Sequence, residues 1–194
     1  MPNPLFDAIF APHAARDDVF LRLPDGDDLT YRGLLSQAAQ MASTLAGFGL
    51  EAGDRVAIHV EKTPHMLALY AACVQGGFVF LPLNPAYTPA EVGYFLEDSG
   101  AAMLITDPEG SDAWHPLANK FGVRHLTMLR FVEAANRSAA DFKTVKRKAS
   151  DIAAILYTSG TTGRSKGAAL TQDNLLSNAR ALTSFWQFTK ADVL

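Results

Sequence analysis

The chain has 194 residues, 48% of them apolar and 19% charged, with a formal net charge of −3. That length and balance suit one folded domain with a sizeable core. They argue against an unfolded chain and against a nucleic-acid protein with a basic face. Cys73 is the only cysteine, so no intrachain disulfide forms. Its apolar surroundings make it a core residue rather than a nucleophile.

The first residues, Met-Pro-Asn-Pro-Leu-Phe-Asp, lack the basic start and long apolar core of a secretory signal. Leu29-Thr30-Tyr31 predicts a short extended piece. A helix follows, with Leu34, Leu35, Ala38, Ala42 and Leu45 on one face and Gly47 and Gly49 at its end. Gly53-Asp54 turns into a strand over Arg55–Val60, and Pro64 suits the first turn of the next helix. Met66 to Leu83 is apolar enough to reach the lower limit of a membrane span. Gly76-Gly77 divides it, however, so it reads as a buried helix and then a core strand near 78–83. Thr88-Pro89-Ala90-Glu91 is a capping box, whose helix runs through Val92, Phe95 and Leu96 to Gly100. Strands are predicted at Met103–Thr106 and His125–Leu129, around a helix near 113–121.

Residues 136–150 are irregular and carry the basic cluster Lys143, Lys146, Arg147 and Lys148. No aromatic residues interleave with the charge as a nucleic-acid site would require, so the stretch reads as a solvated linker. The five histidines (13, 59, 65, 115 and 125) show no metal-ligand spacing. The alternation of strand and helix predicts an α/β fold with a mostly parallel sheet flanked by helices.

Residues 157–167 read Tyr-Thr-Ser-Gly-Thr-Thr-Gly-Arg-Ser-Lys-Gly. They follow the apolar run Ile152–Tyr157, which suits a buried strand, and precede a helical pattern starting near Thr171. That helix is expected to be capped by Thr171 or Asp173 and to bury Leu175, Leu176, Ala179, Leu182, Phe185 and Trp186. A strand, a glycine and hydroxyl loop carrying a lysine, then a helix is an order that suits phosphate. Glycines let main-chain N–H groups approach an anion, Thr158, Ser159, Thr161 and Thr162 add hydroxyl donors, and Lys166 adds a compact charge. Such ligands sit at the carboxyl ends of strands. The spacing is neither Walker A, which needs Gly-Lys-Ser/Thr, nor Gly-x-Gly-x-x-Gly.

Ten of these eleven residues match the phosphate loop of the adenylate-forming superfamily, which the stretch resembles; Ser165 replaces the usual proline. Thr30-Tyr31, Leu50-x-x-Gly-Asp-Arg-Val-Ala and Gly77-x-x-x-x-Pro82-Leu83-Asn84 are similar to the opening of acyl-CoA synthetases. Asn84-Pro85-Ala86-Tyr87-Thr88, Ala153–Thr158, and Asp173-Asn174-Leu175 with the final Phe188–Leu194 run resemble the malonyl-CoA synthetases.

The resemblance implies that residues 1–194 are an incomplete N-terminal AMP-binding domain, the first part of the large domain of such an enzyme. A linker at 136–150 would precede the loop at 157–167, and the C-terminal domain would be absent. It implies an ATP-dependent acid–thiol ligase, joining a carboxylate to coenzyme A with release of AMP and pyrophosphate, with malonate or methylmalonate as the acid. The cofactors implied are ATP, Mg²⁺ and coenzyme A. Thr158, Ser159, Gly160, Thr161, Thr162, Gly163, Arg164, Ser165 and Lys166 would bind ATP, and Lys166 would be catalytic. No metal ligand is assigned, and no nucleic acid or membrane span is expected. A cytoplasmic fragment, inactive by itself, follows from the same resemblance. The alternative is a non-catalytic module that pairs with a full-length enzyme through an exposed sheet edge.

Overall fold

The computed structural model describes residues 3–24, 26–109, 111–158, 164–189 and 192. Helix α1 (Pro4–Ile9) begins at Asn3, whose Oδ1 accepts from the Phe6 N–H at 3.1 Å. The same side chain donates to the carbonyls of Val74, at 2.7 Å, and Val145, at 3.1 Å. One short helix is thereby tied to two distant segments, which no local pattern in the sequence foretold. Strands β1 (Val19–Leu21) and β2 (Leu29–Thr30) pair antiparallel in a separate ribbon.

Thr30 then caps α2 (Tyr31–Gly47), which buries Leu34, Leu35, Ala38, Ala42 and Leu45 as expected. β3 (Arg55–His59) leads to α3 (Pro64–Gly76), capped by Thr63. The helix ends where Gly77 turns left-handed at φ 72°, a conformation that suits glycine. β4 (Val79–Pro82) follows directly, so Met66–Leu83 is a helix and a core strand. Among the described residues no helix is long and apolar enough to cross a membrane.

The capping box forms at Thr88 and Glu91 and starts α4 (Pro89–Ser99), which ends at left-handed Gly100. β5 (Met103–Thr106), α5 (Ser111–Lys120) and β6 (Arg124–Thr127) complete this half. The strand expected over His125–Leu129 stops at Thr127. The Thr127 hydroxyl accepts from the Arg130 N–H, and Met128 and Leu129 open α6 (Met128–Ala135). A cap that satisfies an orphan helix donor ends the strand two residues early.

β7 (Ile152–Thr158), β8 (Lys166–Thr171) and α7 (Gln172–Phe185) close the chain. The main sheet has the order β6-β5-β3-β4-β7-β8. All neighbours are parallel except β7 and β8, which form an antiparallel edge. Strand alternation sends Val56 and Ile58 toward α2, α3 and α6, and Ala57 toward α4 and α5. A smaller cluster joins α1 and α7 through Leu5, Phe6, Ala153 and Leu176.

Residues 136–150 form no helix or strand, and part of the stretch is held by hydrogen bonds to α3. The Val145 N–H donates to the Gln75 carbonyl, Gln75 Nε2 donates to the Phe142 carbonyl, and Arg147 pairs with Asp151 at 3.1 Å. Main-chain groups with no helix or ladder of their own are satisfied on α3 instead. The stripe expected to be buried on α7 is only half covered. Thr171 caps the helix and Leu176 is buried, but Phe185 is 82% and Trp186 57% exposed. Only the first half of α7 rests on α1, through Gln172 and Leu176; the second half runs past it.

Candidate functional site

The loop of interest leaves the sheet from β7. Because β7 runs parallel to β4, Thr158 lies at the carboxyl edge, where open α/β sheets bind ligands. The expected order of strand, loop and helix is corrected at this point. Lys166 to Thr171 form strand β8 before α7 begins, so the loop joins two strands of a hairpin. The sequence hides β8 because Lys-Gly-Ala-Ala-Leu-Thr lacks alternation and has Thr171 as its single β-branched residue. β8 thus stands between residue 165 and the N-terminus of α7.

Thr158 and Lys166 face each other across the ladder and so share one sheet face. Ala154 and Leu156 share it too, on the side where Ala154 joins the α2 and α3 core. Lys166 is exposed and has no ion-pair partner among the described residues. Its charge is available to an anion. Ser159, Gly160, Thr161, Thr162 and Gly163 lie outside the described residues.

The opposite face of the hairpin is held by α4. The Tyr157 hydroxyl donates to Asp98 Oδ2 at 2.6 Å, and its ring lies 4.4 Å from that of Phe95, centre to centre. Burial, and then the Asp98 carboxylate that accepts its proton, push this phenol above its ordinary pKa. On the outgoing arm the Tyr94 hydroxyl donates to the Ser165 carbonyl at 3.0 Å, and the Arg164 guanidinium stands 5.7 Å from the Tyr94 ring centre. Tyr94, Asp98, Lys120 and Arg164 border a groove of about 480 Å³ along α4. Tyr94 and Asp98 were not foreseen. Their four-residue spacing on a helix was the available signal, but nothing local says that this face meets residues 157 and 165.

A second cleft, of about 550 Å³, opens at the same carboxyl edge between the segments after β3 and β4. Its rim is braced by the Asp107 carboxylate accepting from the Glu61 N–H at 2.7 Å, and by Asn84 Oδ1 accepting from the Ala86 N–H at 2.9 Å. The histidines are dispersed. His59 stacks on Trp114 at 4.6 Å and His125 Nε2 lies 3.0 Å from the Thr106 hydroxyl. Among the described residues no group of three or more His, Cys, Asp or Glu could hold a metal ion. No such ligand set for Mg²⁺ is present among them.

A mostly parallel α/β sheet with Thr158 and Lys166 paired at its carboxyl edge, on either side of a sequence rich in glycine and hydroxyl residues, suits a protein that grips a nucleotide by its phosphates. The chain belongs to the AMP-binding enzyme family, whose pattern matches residues 10–194. It is 41% identical to ATP-bound MatB from Rhodopseudomonas palustris, with a TM-score of 0.87 over 97% of this chain and 39% of that one. It is 39% identical to a feruloyl-CoA synthase from Amycolatopsis sp over 79% of this chain and 30% of the relative. The oxalate–CoA ligase of Arabidopsis thaliana is 31% identical over 85% of this chain and 34% of the relative. The chain thus spans about a third of the length of these curated relatives.

Proposed function

We propose that this chain supplies the ATP phosphate loop of an acyl-CoA synthetase. The observation that carries the reading is the opposition of Thr158 and Lys166 at the carboxyl edge, with no ion pair on Lys166 among the described residues. In the first half-reaction a carboxylate oxygen attacks the α-phosphorus of ATP, forming an acyl-adenylate and breaking the bond to pyrophosphate. In the second, the thiol of coenzyme A attacks the acyl carbon and AMP leaves with the bonding electron pair. This chain's residues act on the first step. Lys166 neutralises charge gathering on the departing pyrophosphate, Thr158 orients a phosphate oxygen, and the segment 158–166 as a whole binds the β- and γ-phosphates. Such fixed donors stabilise the transition state where charge develops.

Malonate is the acid we favour. The resemblance of residues 84–88 and 153–158 to malonyl-CoA synthetases supports it, and the 41% likeness to MatB points the same way. Relatives about three times as long suggest that residues 1–194 alone do not turn over. The second reading, a module that pairs with a complete enzyme, draws on the exposure of Phe185 and Trp186.

The test is malonate-dependent AMP release, measured with acetate and a medium-chain fatty acid as controls, in an enzyme that contains this segment. Lys166→Ala is expected to lower kcat/KM by about 10²–10³, the usual worth of one such donor. Activity with acetate or fatty acid alone would remove malonate and keep the family. Pyrophosphate release by residues 1–194 alone would remove the claim that the segment is inactive.

A further inference from the structure

Both arms of the phosphate segment are fastened to α4, and no requirement of the fold explains why. Tyr157 already packs its ring on Phe95, yet its hydroxyl also reaches Asp98. Seven residues later the chain returns to the same helix, where Tyr94 reaches the Ser165 carbonyl and lies under the Arg164 guanidinium. Tyr94 and Asp98 are one helical turn apart, so one helix surface holds both Tyr157 and Ser165.

Gly167 belongs to the same arrangement. A Cβ there would meet Ile155 Cγ2 at 3.1 Å and the Tyr157 ring at 3.2 Å. Glycine at this position leaves Tyr157 room to lie flat and point at Asp98. Strand alternation then turns the neighbouring Lys166 and Thr158 to the other face. Fastening one face of the hairpin to α4 therefore sets the direction of the two groups on its opposite face.

We infer that Tyr94 is a positioning residue for phosphate: its hydroxyl holds the outgoing arm so that Lys166 meets the anion without first being ordered. A group that is already in place pays less conformational entropy on binding. The inference rests on the phosphate reading of residues 158–166.

Arg164 is exposed, and the Arg164–Ser165 bond is a trypsin site inside the fastened arm. The experiment compares the 194-residue chain with its Tyr94→Phe variant, which keeps the ring under Arg164 and loses only the hydroxyl. Cleavage after Arg164 is followed by mass spectrometry, with and without inorganic pyrophosphate at constant ionic strength, and thermal melting checks the fold. The expected result is about fivefold faster cleavage in the variant, the worth of one neutral hydrogen bond, with the melting temperature lowered by no more than about 2–4 °C. The pyrophosphate concentration giving half-protection rises by a similar factor. Unchanged cleavage overturns the fastening. Faster cleavage with unchanged half-protection reduces Tyr94 to a tether and overturns its positioning role. If pyrophosphate protects neither protein, the phosphate reading itself fails, whatever the cleavage rates do.

Discussion

Cys73 and the histidines show how burial alone sets chemistry at single positions. Cys73 is fully buried, which pushes its thiol above the ordinary range and leaves it a small core side chain. Burial holds the imidazoles of His59 and His125 below their usual 6.5, and His115 adds to the effect on His125. The unfolded chain therefore takes up protons near 6.5 that the folded chain refuses. Stability contributed this way is whole above that pH and declines as pH falls through it. Calorimetry is expected to give a lower melting temperature at about pH 5.5 than at about pH 7.5. His125→Gln should shrink the difference; an equal drop in both proteins would assign it to other groups. That Cys73 is a core residue was legible in the sequence, because its neighbours are apolar. The burial of His59 and His125, which gives them a pH dependence, was not.

At the scale of elements, starts and stops are mostly decided locally. The capping box at Thr88 and Glu91 and the proline at 64 were readable because caps satisfy donors within three residues. Gly77 likewise ends α3 for a local reason, but its surroundings are tertiary. A Cβ there would sit 2.8 Å from Arg147 Cδ, in the segment that docks on α3. Gly77→Ala should cost about 1–2 kcal/mol for the left-handed backbone, plus whatever the displaced Arg147–Asp151 pair contributes. Urea unfolding of the variant measures it; a loss confined to that range would show that residues 145–147 yield freely. Thr127 marks the limit of local reading. Threonine suits a strand and caps a helix equally well, so the sequence could not say where β6 ends and α6 begins.

For the whole molecule, the sheet order puts β8 at an open edge and leaves the second half of α7 uncovered. Phe185 and Trp186 are exposed, and Trp186 has the Phe188 ring 5.6 Å away. An apolar helix face beside an unpaired strand edge favours association. Light scattering is expected to show the 194-residue chain associating as concentration rises, and Phe185→Ser with Trp186→Ser should weaken this. A monomer at all concentrations would count against the pairing module and leave the ligase reading untouched.

The sequence by itself determined that the chain alternates strands with helices, where most of them begin, and that a glycine, hydroxyl and lysine segment follows a strand. Those features arise from interactions a few residues apart: periodicity, caps and turn chemistry. Tertiary structure alone decided that Lys166 starts a strand opposite Thr158, that residues 142–147 dock on α3, and that α7 keeps half of its apolar stripe exposed. It also decided that Tyr94 and Asp98 meet a hairpin about sixty to seventy residues away. Each of these depends on which distant surface arrives, and the energy that chooses among arrivals is buried area and satisfied main chain, which no window of sequence contains.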